Sequence, residues 1–243
     1  MTTLHRSAAP PASDSNAPTR LGSRLLGALL VAQGLLALAP MAILGPAIGW
    51  PASLDNAPGE QLSAIAGAPQ AVAAGYGVYL LYSVLIGPMM IALAARLFGG
   101  LQQTAAATVA VFAGLSVLAR SIGILRWLTA MPVLATAWVA GDAATRADLE
   151  RVFLALNEFG GGIGELLGVG LFMAIALGTL VVAAWRRGVM PGWLAALGVV
   201  SAGLLAGLIL PAIGVPVQVP MAAAVSTLSV WMLATGVWML RRP

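Results

Sequence analysis

Polar residues along this chain gather in short clusters, and between them run six long apolar stretches, at positions 25–49, 71–95, 104–132, 160–184, 191–213 and 221–240. A helix needs roughly 20 apolar residues to cross the ~30 Å hydrocarbon core of a bilayer, and each stretch meets that length. None alternates apolar and polar residues as a barrel strand does. The pattern predicts an all-α, polytopic integral membrane bundle of about six transmembrane helices. Composition agrees: 60% of residues are hydrophobic, 8% are charged, and the mean hydropathy is +0.96, values that a water-soluble fold of 243 residues cannot accommodate.

The segments between the stretches set the organisation. Residues 1–20 are rich in Pro, Ser, Ala and Asn without an apolar period, so they bury too little surface to offset the entropy of ordering. A disordered cytoplasmic tail over 1–24 and a transmembrane domain over 25–243 are expected. Arg20 and Arg24 before the first apolar run resemble the start of a signal peptide, with Ala37-Leu38-Ala39 as a cleavage site. Pro40 after the cut and the apolar run beyond it favour a retained first helix. Residues 50–70 carry Pro51, Asp55, Pro58, Glu60 and Pro69 and are expected to form a loop. The third helix is expected to bend or end near Pro132, and Thr145-x-x-Asp148 to cap a helix whose Leu149, Val152, Phe153 and Leu156 share a face. The sequences Pro46-Ala47-Ile48-Gly49 and Pro211-Ala212-Ile213-Gly214 match, and the steric preference of helix ends for Gly and Pro accounts for them without an internal duplication.

Charge orients the bundle. All twelve cations are arginines, and Arg6, Arg20, Arg24, Arg96, Arg186, Arg187, Arg241 and Arg242 fall on the side shared by both termini. By the positive-inside tendency that side is cytoplasmic, so the N-terminus and C-terminus are both expected there. Asp55, Glu60, Asp142, Asp148, Glu150, Glu158 and Glu165 fall on or near the other side.

Ionisable residues inside a span are costly and normally face the bundle. Arg120 lies about 24 Å along the third helix, and Glu165 about 28 Å from the opposite end of the antiparallel fourth, so equal depth predicts that they pair. The pair reads first as a structural staple, next as part of a ligand or ion pathway, and last as catalysis. Glu158 shares the face of Glu165. Tyr79 and Tyr82 lie deeper than a tyrosine that only anchors a membrane surface, so they are candidates to line a polar cavity with the pair. Arg126 is about 120° round the helix from Arg120 and is expected to snorkel outward, outside this site. Gly160, Gly164 and Gly168 form a doubled G-x-x-x-G stripe, a packing surface for another helix in the same chain or a second one. Gln33 is expected to contact another helix, and Gly87-Pro88 to kink one.

Several classes of chemistry find no support. With no cysteine and one histidine, His5 in the tail, no metal site is expected. The Gly160-Gly161-Gly162-Ile163-Gly164 run has no preceding strand and the chain has no lysine, so nucleotide and nucleic-acid binding are not expected. Ser83, Ser116, Thr179 and Ser201 have no base at catalytic spacing. No cofactor and no enzyme activity are expected. The remaining partners are membrane lipids, with a homo-oligomer or a membrane partner protein left open.

Leu156-Asn157-Glu158-Phe159-Gly160, an apolar span, and then Trp185-Arg186-Arg187-Gly188-Val189-Met190-Pro191-Gly192-Trp193-Leu194 with Leu197-Gly198 resemble the bacterial integral membrane proteins of domain-of-unknown-function family 4386. The likeness covers roughly 20–214. Asn157 stands where many relatives carry histidine. The resemblance implies a bacterial inner-membrane protein with this helical layout, and no activity or substrate. Two functional expectations follow: a non-enzymatic structural, accessory or membrane-stress protein, or a carrier or receptor for a small amphipathic or zwitterionic ligand in an outward-facing cavity.

Overall fold

The computed structural model describes residues 17–241, with side chains from Leu21 onward. Ten α-helices follow in order: α1 (Ala17–Leu36), α2 (Ala39–Ile48), α3 (Pro58–Gly67), α4 (Pro69–Phe98), α5 (Thr104–Leu128), α6 (Ala130–Ala140), α7 (Ala143–Gly161), α8 (Met173–Arg186), α9 (Gly192–Gly207) and α10 (Met221–Arg241). A π-helical stretch, Gly162–Phe172, joins α7 to α8 without a break. The described residues contain no strand, and the all-α membrane bundle is the observed fold. Helix α1 already begins at Ala17, so the described part of the expected tail, 17–24, is helical. The Arg-flanked apolar run nucleates a helix that extends back through Thr19 and Arg20. Residues 1–16, with His5, Arg6 and Asp14, and residues 242–243 with Arg242, lie outside the described region.

Five helical segments are long and apolar enough to cross a bilayer: Leu21–Ile48, Pro69–Phe98, Thr104–Ala140, Ala143–Arg186 and Met221–Arg241. The sixth expected span is shorter than its apolar run. Helix α9 has 16 residues, about 24 Å of rise against a ~30 Å hydrocarbon core. Pro211 explains the stop, because it has no N–H to bond the carbonyl of Gly207, where α9 ends. The chain continues as a 3₁₀ turn, Leu210–Ile213. Leu115, Leu118, Ile122 and Leu125 on α5 stay exposed, as do Leu81 and Val84 on α4. Apolar side chains cover the outside as well as the core, as lipid contact requires.

Two apolar cores stand one above the other. The larger joins α1, α4, α5, α8, α9 and α10 through Leu30, Ile86, Met90, Leu177 and Trp231. Close approach there depends on glycine: a Cβ on Gly236 would meet the Gly27 carbonyl oxygen at 2.6 Å. At one end Arg96 Nε donates to Ser23 Oγ (2.8 Å), and Arg187 lies over the Phe98 ring and reaches Gln103. The smaller core occupies the other end, where Leu44, Leu62, Ile65, Trp127, Met131 and Phe153 pack α2, α3, α5, α6 and α7 together.

This second core was not legible as such. The 50–70 segment is not a loop throughout, because α3 buries Leu62 and Ile65 and Gln61 Nε2 donates to the carbonyls of Leu54 and Asn56. Pro58 opens α3 at a position where its missing N–H costs nothing. The break in the third helix falls at Thr129, and Pro132 sits in the first turn of α6. Asp142, and not Thr145, caps α7: its carboxylate accepts the Thr145 backbone N–H at 2.8 Å. Of the four apolar residues expected on one face of α7, Phe153 is buried while Val152 and Leu156 are exposed. Gly49 and Gly214, the two ends of the matching tetrapeptides, both adopt positive φ (73° and 82°), the left-handed cap that favours glycine.

The cap gives a pH prediction. Hydrogen bonds from the Thr145 backbone and side chain hold the Asp142 carboxyl below its usual range. A depressed folded pKa means that the carboxylate stabilises the α7 start above the unfolded pKa, near 3.9, and loses that contribution as pH falls through the lower folded value. The Asp142→Ala protein is expected to show faster amide exchange over the first turn of α7 at neutral pH, with the difference closing in acid. A pH-independent difference contradicts the cap.

Candidate functional site

The third and fourth spans meet on glycine. Six glycines stand between 160 and 170, and without Cβ atoms the backbone widens at little steric cost into the π form, in which each N–H reaches back five residues. Gly123 of α5 faces this stretch so closely that a Cβ there would lie 2.7 Å from Gly164 Cα and 2.9 Å from the Gly160 oxygen. One turn along, Gly168 lies against the Arg120 stem, and Ser116 Oγ donates to the Gly168 carbonyl at 2.7 Å. The Gly160, Gly164 and Gly168 stripe therefore joins two helices of one chain.

The register this contact imposes agrees with the depths counted along the two helices, which leave Glu165 between Arg120 and Arg126. Arg120 stands level with Gly168, and Arg126 with Gly160, where a Cβ would sit 2.5 Å from Arg126 Cδ. The Glu165 carboxylate turns back toward Gly161, where Arg126 Nη2 also lies, and so pairs with Arg126, with Nη2 3.5 Å from Oε1, and not with Arg120. Arg126 does not snorkel away. Its Nε donates to Asn157 Oδ1 (3.2 Å), its Nη1 to the Gly123 carbonyl (2.8 Å), and its side chain is 10% exposed. The Glu165 side chain keeps 42% of its surface open. Glu158 is exposed and lies within electrostatic reach of Glu165.

Arg120 is 2% exposed, and none of its three guanidinium nitrogens has a hydrogen-bond partner. Its charge lies over the Tyr82 ring, 5.1 Å from the centroid. Cation–π attraction of this kind is worth roughly 2 kcal/mol when desolvated, less than a buried guanidinium loses on leaving water. Tyr82 itself is buried, and its hydroxyl is also unpartnered. Tyr79 stacks on Tyr82 (ring centroids 6.2 Å apart), meets Trp50 at a tilt (5.9 Å, 59°), and lies within electrostatic reach of both Arg120 and Glu165. Tyr76, one turn further, stacks flat on Trp127 at 4.7 Å. Tyr79 packs against both apolar cores, so the site lies at their seam.

The tyrosines, Arg120 and Glu165 are thus neighbours, as the sequence suggests, but the direct ion pair passes to Arg126. Asn157, Trp50 and Trp127 were missed. Gly123 carried a signal for Arg126: three residues from each arginine, it marks the face of α5 that meets the glycine stripe and so puts both arginines on that face's edges. Gln33 makes the helix contact expected of it, donating to the Tyr82 carbonyl at 2.7 Å. Helix α4 runs unbroken through Pro88, while Gly87 admits Val117 of α5. Among the described residues no group of acids or histidines could hold a metal ion.

Residues 25–242 match the family described as Domain of unknown function (DUF4386). The chain belongs to that family. Comparisons with curated proteins and with solved structures give no match. The family match extends past the 20–214 likeness into α10, so the whole bundle that frames the arginines is part of the shared domain.

Proposed function

We propose that this family member is a non-enzymatic, multi-pass protein of a bacterial plasma membrane that binds a small amphipathic or zwitterionic molecule at the Tyr79, Tyr82 and Arg120 site, as a carrier or receptor. One observation carries the reading: Arg120 is buried in the spanning region with no hydrogen-bond partner on any guanidinium nitrogen. A structural arginine at such depth normally has its donors satisfied, and an unsatisfied one marks a place where something else binds. Stacked aromatic rings beside it suit the apolar body of the same molecule. The grouping of Arg96 and Arg187 at one end of the bundle supports cytoplasmic termini under the positive-inside tendency.

A structural or accessory role is the second reading, favoured by Arg126. That arginine has a partner for each of its nitrogens, and with Glu165 and Gly123 it braces α5 against the fourth span. The two roles occupy different arginines and are separable.

Native mass spectrometry of protein extracted gently from its own membrane tests the ligand reading. A discrete co-purifying mass is expected on the wild type and is expected to be depleted in a folded Tyr79→Leu variant. Bare protein in both would leave the structural role as the better account.

A further inference from the structure

The embedded cluster holds two guanidiniums, Arg120 and Arg126, and one carboxylate, Glu165. Guanidinium does not shed its proton in a protein, so the cluster carries one uncompensated positive charge. The two acceptors described at the site are already engaged elsewhere. The Gly168 carbonyl, against which the Arg120 stem lies, accepts from Ser116, and Glu165 is paired with Arg126, which also uses the Gly123 carbonyl and Asn157. Beside the Arg120 head lie the Tyr82 ring and the Tyr79 side chain, and the Tyr82 hydroxyl is a second unpartnered donor. Unpartnered donors in a cluster one charge positive are complementary to a single negative charge.

We infer that Arg120 seats a singly charged anionic group, with the Tyr82 hydroxyl as a further donor. This deepens the ligand reading and rests on it for the molecule's apolar body. A zwitterion is disfavoured, because the only embedded carboxylate is committed to Arg126 and leaves nothing for a ligand cation. A dianion would overshoot neutrality in a low-dielectric site. The anion can be a free inorganic ion or the head of an amphiphile.

The two sources are separated by thermal unfolding of the purified full chain in a neutral detergent and halide-free buffer, with chloride, dodecanoate or uncharged dodecanol added below micelle-forming concentrations. Saturable stabilisation of roughly 5–10 °C at a hundredfold excess over Kd is expected for one anion. Chloride alone would assign an inorganic ion, and dodecanoate alone an amphiphile head. Arg120→Met, with its helical content unchanged, is expected to lose that response and to melt no lower than ligand-free wild type, since it removes an unpaired buried charge. If Arg120→Met does not fold, Arg120→Lys serves: a point charge without the planar fork should keep a response weakened at least tenfold in Kd. Equal stabilisation by dodecanol and dodecanoate, no shift with either anion in the wild type, or an undiminished response in the Arg120 variant overturns the assignment. Should a co-purifying neutral or cationic molecule persist in the Arg120→Met protein, ligand binding stands and the anion seat falls. Absence of both the adduct and the anion response removes the two together.

Discussion

Gly123→Ala is expected to destabilise the protein by about 2–3 kcal/mol, the upper range of overpacking, and Gly123→Leu to leave little folded protein. The added Cβ would lie 2.7 Å from Gly164 Cα, 2.9 Å from the Gly160 oxygen and 3.1 Å from Gly164 N. All three are backbone atoms, so no side chain can rotate away and the helices themselves must part. Between lipid-embedded helices the driving force is packing and hydrogen bonding, not expulsion of water. Parting α5 from the π-helical stretch therefore forfeits the main attraction and also lengthens the Ser116 bond to the Gly168 carbonyl. Gly114 on the same helix is the control, because nothing lies within 4 Å of its Cβ position. Gly114→Ala should be neutral or stabilising by up to about 1 kcal/mol through helix propensity alone. Reversible unfolding in mixed micelles measures both. Equal stability of the two alanine variants would show that the spans do not meet at Gly123.

Arg126→Met should cost about 2–4 kcal/mol, and Glu165→Gln distinctly less. Removing one partner of a fully buried pair costs ~3–5 kcal/mol, mainly because a charge is left unpaired. Here the value falls, since Glu165 keeps 42% of its side chain open and can be solvated. Loss of Arg126 also strands Asn157 and the Gly123 carbonyl, whereas Glu165→Gln leaves both bonds intact. A double-mutant cycle isolates the coupling: Glu165 should couple to Arg126 and, within error, not to Arg120. Coupling to Arg120 instead would restore the pair that the sequence predicts and would contradict the geometry of the site.

These two results bear on different halves of the same machinery. Gly123 sets how closely α5 meets the fourth span, and the direction of the Glu165 side chain, back toward Gly161, decides which arginine it meets. Once Arg126 takes the carboxylate, Arg120 is left without one, and the unpartnered guanidinium that supports ligand binding is a consequence of packing one turn away. The π-helical stretch contributes to this outcome, because widening the backbone between Gly162 and Phe172 changes which side chains face α5 compared with a regular helix.

The apolar runs by themselves determined the class, the helical content and the spans, because a bilayer admits only structures whose backbone bonds are satisfied internally and 20-residue apolar stretches do that as helices. They also marked Arg120, Glu165, Tyr79 and Tyr82, since polar groups placed deep in apolar runs stand out against them. Five of the six spans are long enough to cross a bilayer, and α9 is short because Pro211 ends its hydrogen bonding early. Tertiary structure decided the rest. Helix α3 and the second core rest on a few contacts, chiefly Leu62, Ile65 and Phe153, made between segments distant in sequence. The pairing of Glu165 depends on which way its side chain turns, because depth along the two axes leaves it between Arg120 and Arg126. Only the packed structure, which turns the carboxylate toward Gly161 beside Arg126 Nη2, removes the ambiguity.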